Sequence, residues 1–254
     1  MSTNKGKIAV ITGATGGIGF QVAKRLGQDG FTVVLNGIED SAGAERIAEL
    51  GALGIACEYV GFDVTDEESV NRNIKAIGEK YGKIDVVINN AGGLGGRSRF
   101  EDMTTDFYRK VMALNLDSTF FVSRAAIPYL KKGSNPSIIN YTSIAAWNAG
   151  GPGAGIYGTS KAGVHAITRA FAKDLAEYGI RVNAVSPGTI DTPFHTQIKS
   201  TKPEVFASWK NNILLGRLGQ PEEVASVISF LVSDDAAFMT AETIQIGGGQ
   251  GLGI

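Results

Sequence analysis

Short apolar runs alternate with longer segments of mixed polarity along the whole chain. The runs fall at 8–12, 32–36, 55–60, 84–89, 137–142, 181–186 and 243–246. They are rich in Val and Ile, and several are apolar at consecutive positions. Strands buried on both faces of a parallel sheet read this way. Between them lie amphipathic stretches at 17–29, 66–81, 104–132, 156–178 and 221–233, which predict helices. An alternation sustained over seven strands predicts an α/β fold with a doubly wound, seven-stranded parallel sheet and helices on both faces. No Pro-rich or Ser-rich linker divides the chain, so 1–254 is expected to be one domain. Residues 188–220 interrupt the pattern with a polar, Pro-punctuated stretch, and an excursion of that length is usually a lid or binding loop.

Composition narrows the function. A net charge of −1 gives no basic excess for nucleic acid and no acidic tail. Cys57, the single cysteine, excludes an intramolecular disulfide and is read as a small buried residue. With only His165 and His195 besides, no metal site is expected. The first seven residues lack a signal peptide's apolar core, and no run approaches a membrane span, so a cytoplasmic location is expected. The 34 glycines cluster at 13–19, 92–96, 150–158 and 247–253, marking tight turns where backbone must come close to something.

The first of these turns predicts a phosphate site. Gly13, Gly17 and Gly19 are spaced G-x3-G-x-G between the first strand and first helix. Glycines there let a pyrophosphate touch backbone, and the helix offers it free N–H groups and a positive dipole end. That is the context a Rossmann-type dinucleotide fold requires. Asp63-Val64, the run ending in Asn90-Ala-Gly92, and Pro187-Gly188 with Ile190 and Thr192 follow strands three, four and six. Ligands in such sheets sit beyond those strand ends. Asp63 is placed for the adenine amino group, and Ile190 and Thr192 for the nicotinamide amide.

Tyr157 and Lys161 stand four apart, one turn along a helix, shortly after Ser143 at the end of strand five. Carbonyl reduction needs a hydride on carbon and a proton on oxygen. A lysine charge ~5 Å from a phenol is worth about 3 kcal/mol at an effective dielectric of ~20. That would bring a tyrosine, ordinarily near 10, within reach of neutral pH. Tyr157 is therefore the expected proton donor or acceptor, with Ser143 hydrogen-bonding the substrate oxygen.

These residues resemble the short-chain dehydrogenase/reductase family, in its branch of about 250 residues, over essentially the whole chain. Thr12-Gly-x3-Gly-x-Gly19 resembles its cofactor loop, Asn89-Asn-Ala-Gly92 its strand-four motif and Pro187-Gly-Thr-Ile-Asp-Thr192 its P-G-x3-T motif. Ser143, Tyr157 and Lys161 match its catalytic positions, and Asn115 matches a fourth that serves a proton relay. The resemblance implies a nicotinamide-dependent oxidoreductase acting on a carbonyl or secondary alcohol. It also implies a homotetramer with the helices at 104–132 and 156–178 packed across subunits. The cofactor contacts so expected are Gly13, Thr15, Gly17, Ile18, Gly19, Asn36, Gly37, Asp63, Val64, Asn90, Ala91, Gly92, Tyr157, Lys161, Pro187, Gly188, Ile190 and Thr192. Where NAD-specific members often carry Asp the chain has Gly37, and where NADP-specific members carry a cation it has Ile38 and Gly16. Glu39 and Asp40 would repel a 2′-phosphate. NAD(H) is therefore favoured, with NADP(H) the alternative. The C-terminal pattern departs from the family's at Ala241 and Gly247.

The substrate pocket is expected from 93–99, 144–155 and 188–212. Arg97 and Arg99 are candidates to grip a carboxylate. Trp147 and Asn148 are candidate lining residues, and His195, Lys199 and Lys202 lie on the presumed lid. The expected substrate is a small polar or acidic carbonyl such as a keto sugar or a uronate-derived 2-keto acid. A 3-oxoacyl thioester is the alternative. Readings of another class are a non-catalytic nucleotide sensor and a lyase or epimerase on a related fold. A sensor predicts loss of at least one of Asn115, Ser143, Tyr157 and Lys161, and all four are present.

Overall fold

The computed structural model describes residues 4–201, 203–250 and 252. All seven expected strands form: β1 (Ile8–Ile11), β2 (Thr32–Gly37), β3 (Cys57–Gly61), β4 (Val86–Asn89), β5 (Ser137–Tyr141), β6 (Arg181–Pro187) and β7 (Thr243–Ile246). They make one parallel sheet in the order β3-β2-β1-β4-β5-β6-β7. The strand order reverses between β1 and β4, creating the crevice in which ligands of open α/β sheets bind. Two runs start later than expected. Ile55 and Ile84 donate to the helix carbonyls of Leu50 and Tyr129 instead of joining the ladder.

The sheet is buried on both faces, which is why its strands read as continuous apolar runs. Ala9 and Ile11 of β1 enter one core layer, Ile8 and Val10 the other. The first layer is closed by α1 (Gly17–Gln28), α2 (Asp40–Ala52) and α10 (Pro221–Val232). The second is closed by α3 (Glu67–Tyr81), α5 (Ser118–Leu130) and α7 (Gly155–Leu175). Helix α2 escaped the periodicity because it buries only Gly43 and Leu50, leaving little apolar stripe to detect.

The expected helix at 104–132 is broken. It consists of α4 (Thr105–Met112), a π turn at Ala113–Asp117, and α5. Asn115 sits in that turn, and its amide takes the carbonyl of Val111 at 2.9 Å. Hydroxyls of Ser118 and Thr119 satisfy the carbonyls of Leu114 and Asn115 at 2.7 and 3.2 Å. Side chains thus replace ladder bonds and hold the bulge open, and such bulges are frequent at functional sites.

Short elements complete the edge above the strands. They are α6 (Ala145–Asn148), and, within 188–220, α8 (Thr196–Thr201) and α9 (Pro203–Ser208). The legs of the 188–220 excursion are joined by a parallel bridge between Ile190 and Gly219. Among the described residues, no helix is long and apolar enough to cross a membrane.

Candidate active site

The site grows from the turn after β1. Gly13 and Gly17 have φ of 61° and 54°, values a side chain disfavours. Asn90, just past β4, clamps this turn by donating to the carbonyls of Thr12 and Gly13 at 2.9 and 3.0 Å. Thr12 returns the grip, its hydroxyl accepting from the N–H groups of Asn90 and Ala91 at 3.1 and 3.0 Å. A Cβ on Gly19 would lie 2.5 Å from the Asn90 amide, so only glycine admits the clamp. Helix α1 has Gly16 at its N-cap, with no side-chain cap and no acidic residue in its first turn. Its leading N–H groups and dipole end face outward, as an anion requires.

A cavity of about 790 Å³ opens beside this turn. The expected cofactor residues Gly13, Gly17, Ile18, Asn90, Gly92, Tyr157, Lys161, Pro187, Gly188, Ile190 and Thr192 line it, as do Ser143, Arg97, Asn148 and His195. Phosphate-binding and acid–base chemistry therefore share one space. The uncapped α1 turn at one end and the hydroxyl and ammonium groups at the other fit an extended pyrophosphate-bearing dinucleotide.

Other expected contacts sit outside that lining. Asn36 is buried and works on the protein itself, donating to the carbonyl of Phe62 at 2.9 Å and so stapling β2 to the end of β3. Asp63 spends one carboxylate oxygen on the N–H and hydroxyl of Thr65, both at 2.8 Å. Val64 is a core residue at 4% exposure. Thr15 and Gly37 abut each other at the end of β2, where a Cβ on Gly37 would lie 2.6 Å from the Thr15 methyl.

Helix α7 presents Tyr157 in its first turn and Lys161 one turn on. Helix α6 comes close enough that a Cβ on Gly158 would meet the Ala145 carbonyl at 2.8 Å, and Ser143, just before α6, hydrogen-bonds Tyr157. Lys161 is 4% exposed, donates to the Tyr141 carbonyl at 2.9 Å, and lies 5.9 Å from the Tyr157 ring centre. Asn115 is wholly buried and exchanges hydrogen bonds with Gly93, giving at 2.9 Å and accepting at 3.0 Å. A Cβ on Gly92 would touch both the Asn115 carbonyl oxygen and the Lys161 ammonium, at 2.8 and 3.0 Å. All four expected catalytic residues thus meet around Gly92 and Ser143.

The electrostatics correct the expectation drawn from Coulomb attraction alone. Burial pushes the Tyr157 phenol up, and the hydrogen bond from Ser143 pulls it back down. Lys161 itself is driven by burial from 10.5 to about 8. The attraction between the two groups is opposed by the desolvation each suffers on burial. Tyr141 is no rival acid: its hydroxyl is buried in the core and has no hydrogen-bond partner among the described residues.

Two substrate candidates are displaced. Trp147 does not line the cavity; it is 53% exposed and stacks edge-on against His165, ring centres 5.0 Å apart. Arg99 also lies off the lining. Arg97 is on it, tethered by one guanidinium nitrogen to the Pro152 carbonyl at 2.9 Å. His195 packs with Phe206 and Trp209, ring centres 5.2–5.8 Å apart. Its imidazole is held down by burial and by Lys199, which pairs with Asp191. Lys202 lies outside the described residues. Sequence reasoning missed Trp209, Asn212 and Gln250, all lining residues. Trp209 and Asn212 fell inside the expected pocket region, while nothing local marks Gln250 beyond the glycines before it.

A seven-stranded doubly wound sheet with an uncapped glycine turn and a Ser-Tyr-Lys cluster on one cavity defines a nicotinamide-binding oxidoreductase. A family model described as enoyl-(acyl carrier protein) reductase matches residues 13–250, and the chain belongs to the short-chain dehydrogenase/reductase family. Membership implies NAD or NADP as cofactor. Among relatives, a 3-oxoacyl-(acyl carrier protein) reductase of Thermotoga maritima is 37% identical over 96% of this chain and 98% of its own. Two solved structures superpose with TM-scores of 0.89. One is a short-chain dehydrogenase/reductase, glucose/ribitol dehydrogenase, of Brucella melitensis, 32% identical, covering 97% of both chains. The other is an NADH-dependent reductase responsible for alginate metabolism, 35% identical, covering 98% of this chain and 99% of that one.

Proposed function

We propose that this oxidoreductase is an NADH-dependent reductase of a small polar or acidic carbonyl, a keto sugar or uronate-derived 2-keto acid. The carrying observation is that Ser143, Tyr157, Lys161 and the uncapped α1 turn line one cavity. The bound nicotinamide supplies the hydride. The protein supplies the rest. Ser143 donates a hydrogen bond that holds the substrate oxygen, and the Tyr157 hydroxyl gives that oxygen its proton. Burial keeps the phenol protonated at neutral pH, the form that reduction consumes. Lys161 positions a positive charge beside it, and Asn115 holds the Gly93 backbone next to Gly92, which lies against the Lys161 ammonium.

Preference for NAD(H) rests on the end of β2. Gly37 cannot take a side chain without displacing Thr15, Gly16 and Ile38 carry no charge, and the nearby Tyr59 phenol is raised by burial and then by the negative charges of Asp40 and Glu39. A 2′-phosphate would enter that negative field. The acidic substrate is supported by Arg97 on the lining, by the polar Asn148, His195 and Asn212 around it, and by the alginate-related neighbour, alginate being a polymer of uronates. A second reading, reduction of a 3-oxoacyl thioester, is favoured by the Thermotoga relative. The test is oxidation of NADH and NADPH with a uronate-derived 2-keto acid and with a 3-oxoacyl thioester. Faster turnover of the thioester refutes the acidic-sugar reading, and faster NADPH use refutes the cofactor preference.

A further inference from the structure

The strip Thr189–Ile190, which carries the chain from β6 into the 188–220 excursion, has open space on both sides. On one side is the catalytic cavity. On the other is a second cavity of about 270 Å³, bounded also by Ile213, Leu215 and Gly248. Ile190 is anchored by packing, at 4% exposure within the core, but the half-buried Thr189 beside it borders open space and gets less rigidity that way, because atoms at a void lack neighbours to press against. The position of Thr189 is set by hydrogen bonds.

Those bonds converge on one side chain from the other end of the chain. Gln250 accepts from the Thr189 N–H at 2.7 Å and donates to the Thr189 hydroxyl at 2.9 Å. A Cβ on Gly188 would lie 2.5 Å from the Gln250 carbonyl oxygen, so the glycine makes room for the carboxamide. The Thr189 carbonyl accepts from the Gly219 N–H at 3.1 Å. Every polar group of Thr189 is thereby held. The same tail grips the returning leg, the Gly248 carbonyl accepting from the Leu215 N–H at 3.1 Å. Gln250 also lines the catalytic cavity.

We propose that Gln250 is a positioning residue for hydride transfer: it fixes Thr189, and through it the Pro187–Ile190 wall beside the nicotinamide end of the cofactor. The proposal rests on the nicotinamide-dependent reading above and adds a residue that reading does not need. Gln250 touches neither proton nor hydride. A carboxamide suits the task because it offers an acceptor and a donor side by side, matching the N–H and hydroxyl of one threonine.

The experiment compares two ligands that differ only at the end in question. NADH carries the nicotinamide, and ADP-ribose lacks it. Their dissociation constants are measured by calorimetry on the full chain for wild type, Gln250→Ala, Gln250→Glu and Thr189→Val, together with NADH turnover. Gln250→Ala should weaken NADH about tenfold and lower kcat by about ten- to a hundredfold, since small misplacements at a reacting centre are costly. ADP-ribose affinity should stay within about twofold, because the α1 turn is untouched. Gln250→Glu, which accepts from both Thr189 groups, should recover most of the loss. Thr189→Val, which keeps only the N–H bond, should fall between and serves as the readout if Gln250→Ala does not fold. Unchanged NADH binding and turnover, or parallel loss of both ligands, overturns the positioning role. Wild-type protein that binds neither ligand overturns the nicotinamide reading itself, a result distinct from an unaffected variant.

Discussion

The sharpest consequence of the buried Lys161 is a stability difference that depends on pH. Burial lowers this lysine from 10.5 to about 8. The sign follows from proton counting. Below about pH 8 the group is charged in both states and folding carries the full desolvation penalty. Between the two values the folded protein has lost the proton while the unfolded chain keeps it. The unfolded state then binds more protons, and stability rises with pH. A gap of roughly 2.5 pKa units corresponds to a ceiling of about 3 kcal/mol, most of it realised by about pH 10. Lys161→Met removes the titration without emptying the space. Urea unfolding of both proteins from about pH 7 to about pH 10 isolates the effect, because other titrations cancel in the difference. Wild type should gain about 2–3 kcal/mol on the variant across that range. Curves that run parallel within about 0.5 kcal/mol would refute the claim that this ammonium is held against its solvation. The same lysine should leave its mark on catalysis, with carbonyl reduction falling as pH rises through about 8.

Other outcomes follow from the same geometry. Tyr157→Phe should cut turnover by at least about 10³-fold in a folded protein that still binds ADP-ribose, and turnover near the original rate would dismiss the proton-transfer role. Arg97→Ala should raise KM for an acidic carbonyl about tenfold and leave a neutral one within about twofold; equal effects on both would remove the clamp. Asn90→Ala leaves the carbonyls of Thr12 and Gly13 without their partner. It should cost about 1–3 kcal/mol in denaturant unfolding and weaken ADP-ribose. Alcohol oxidation, which needs the Tyr157 phenol as a base, should speed up on the alkaline side of neutrality, because burial holds that phenol protonated.

Much of this architecture is legible in the linear chain. The strand pattern was readable because both faces of the sheet are buried, which makes β1 apolar throughout and leaves every residue of β4 and β6 buried. The glycine turn and the Tyr157/Lys161 spacing were readable because backbone geometry and helical pitch are local properties. Helix α2 was not, since it buries too little to print a stripe. The π turn was not, since it is held by side-chain bonds from Asn115, Ser118 and Thr119 that periodicity does not register. Nearness to Ser143 in sequence makes Trp147 a pocket candidate, and the short α6 turns it onto His165 instead.

Residue types and their spacing along the chain determined the fold class, the anion turn and the identity of the proton-handling groups, because each depends on neighbours a few positions apart. The tertiary structure alone decided the charge state of those groups and the company they keep. Desolvation of Tyr157 and Lys161 depends on atoms brought from several strands and helices. The hold of Gln250 on Thr189 joins residues 61 positions apart, a distance across which no local rule of sequence operates.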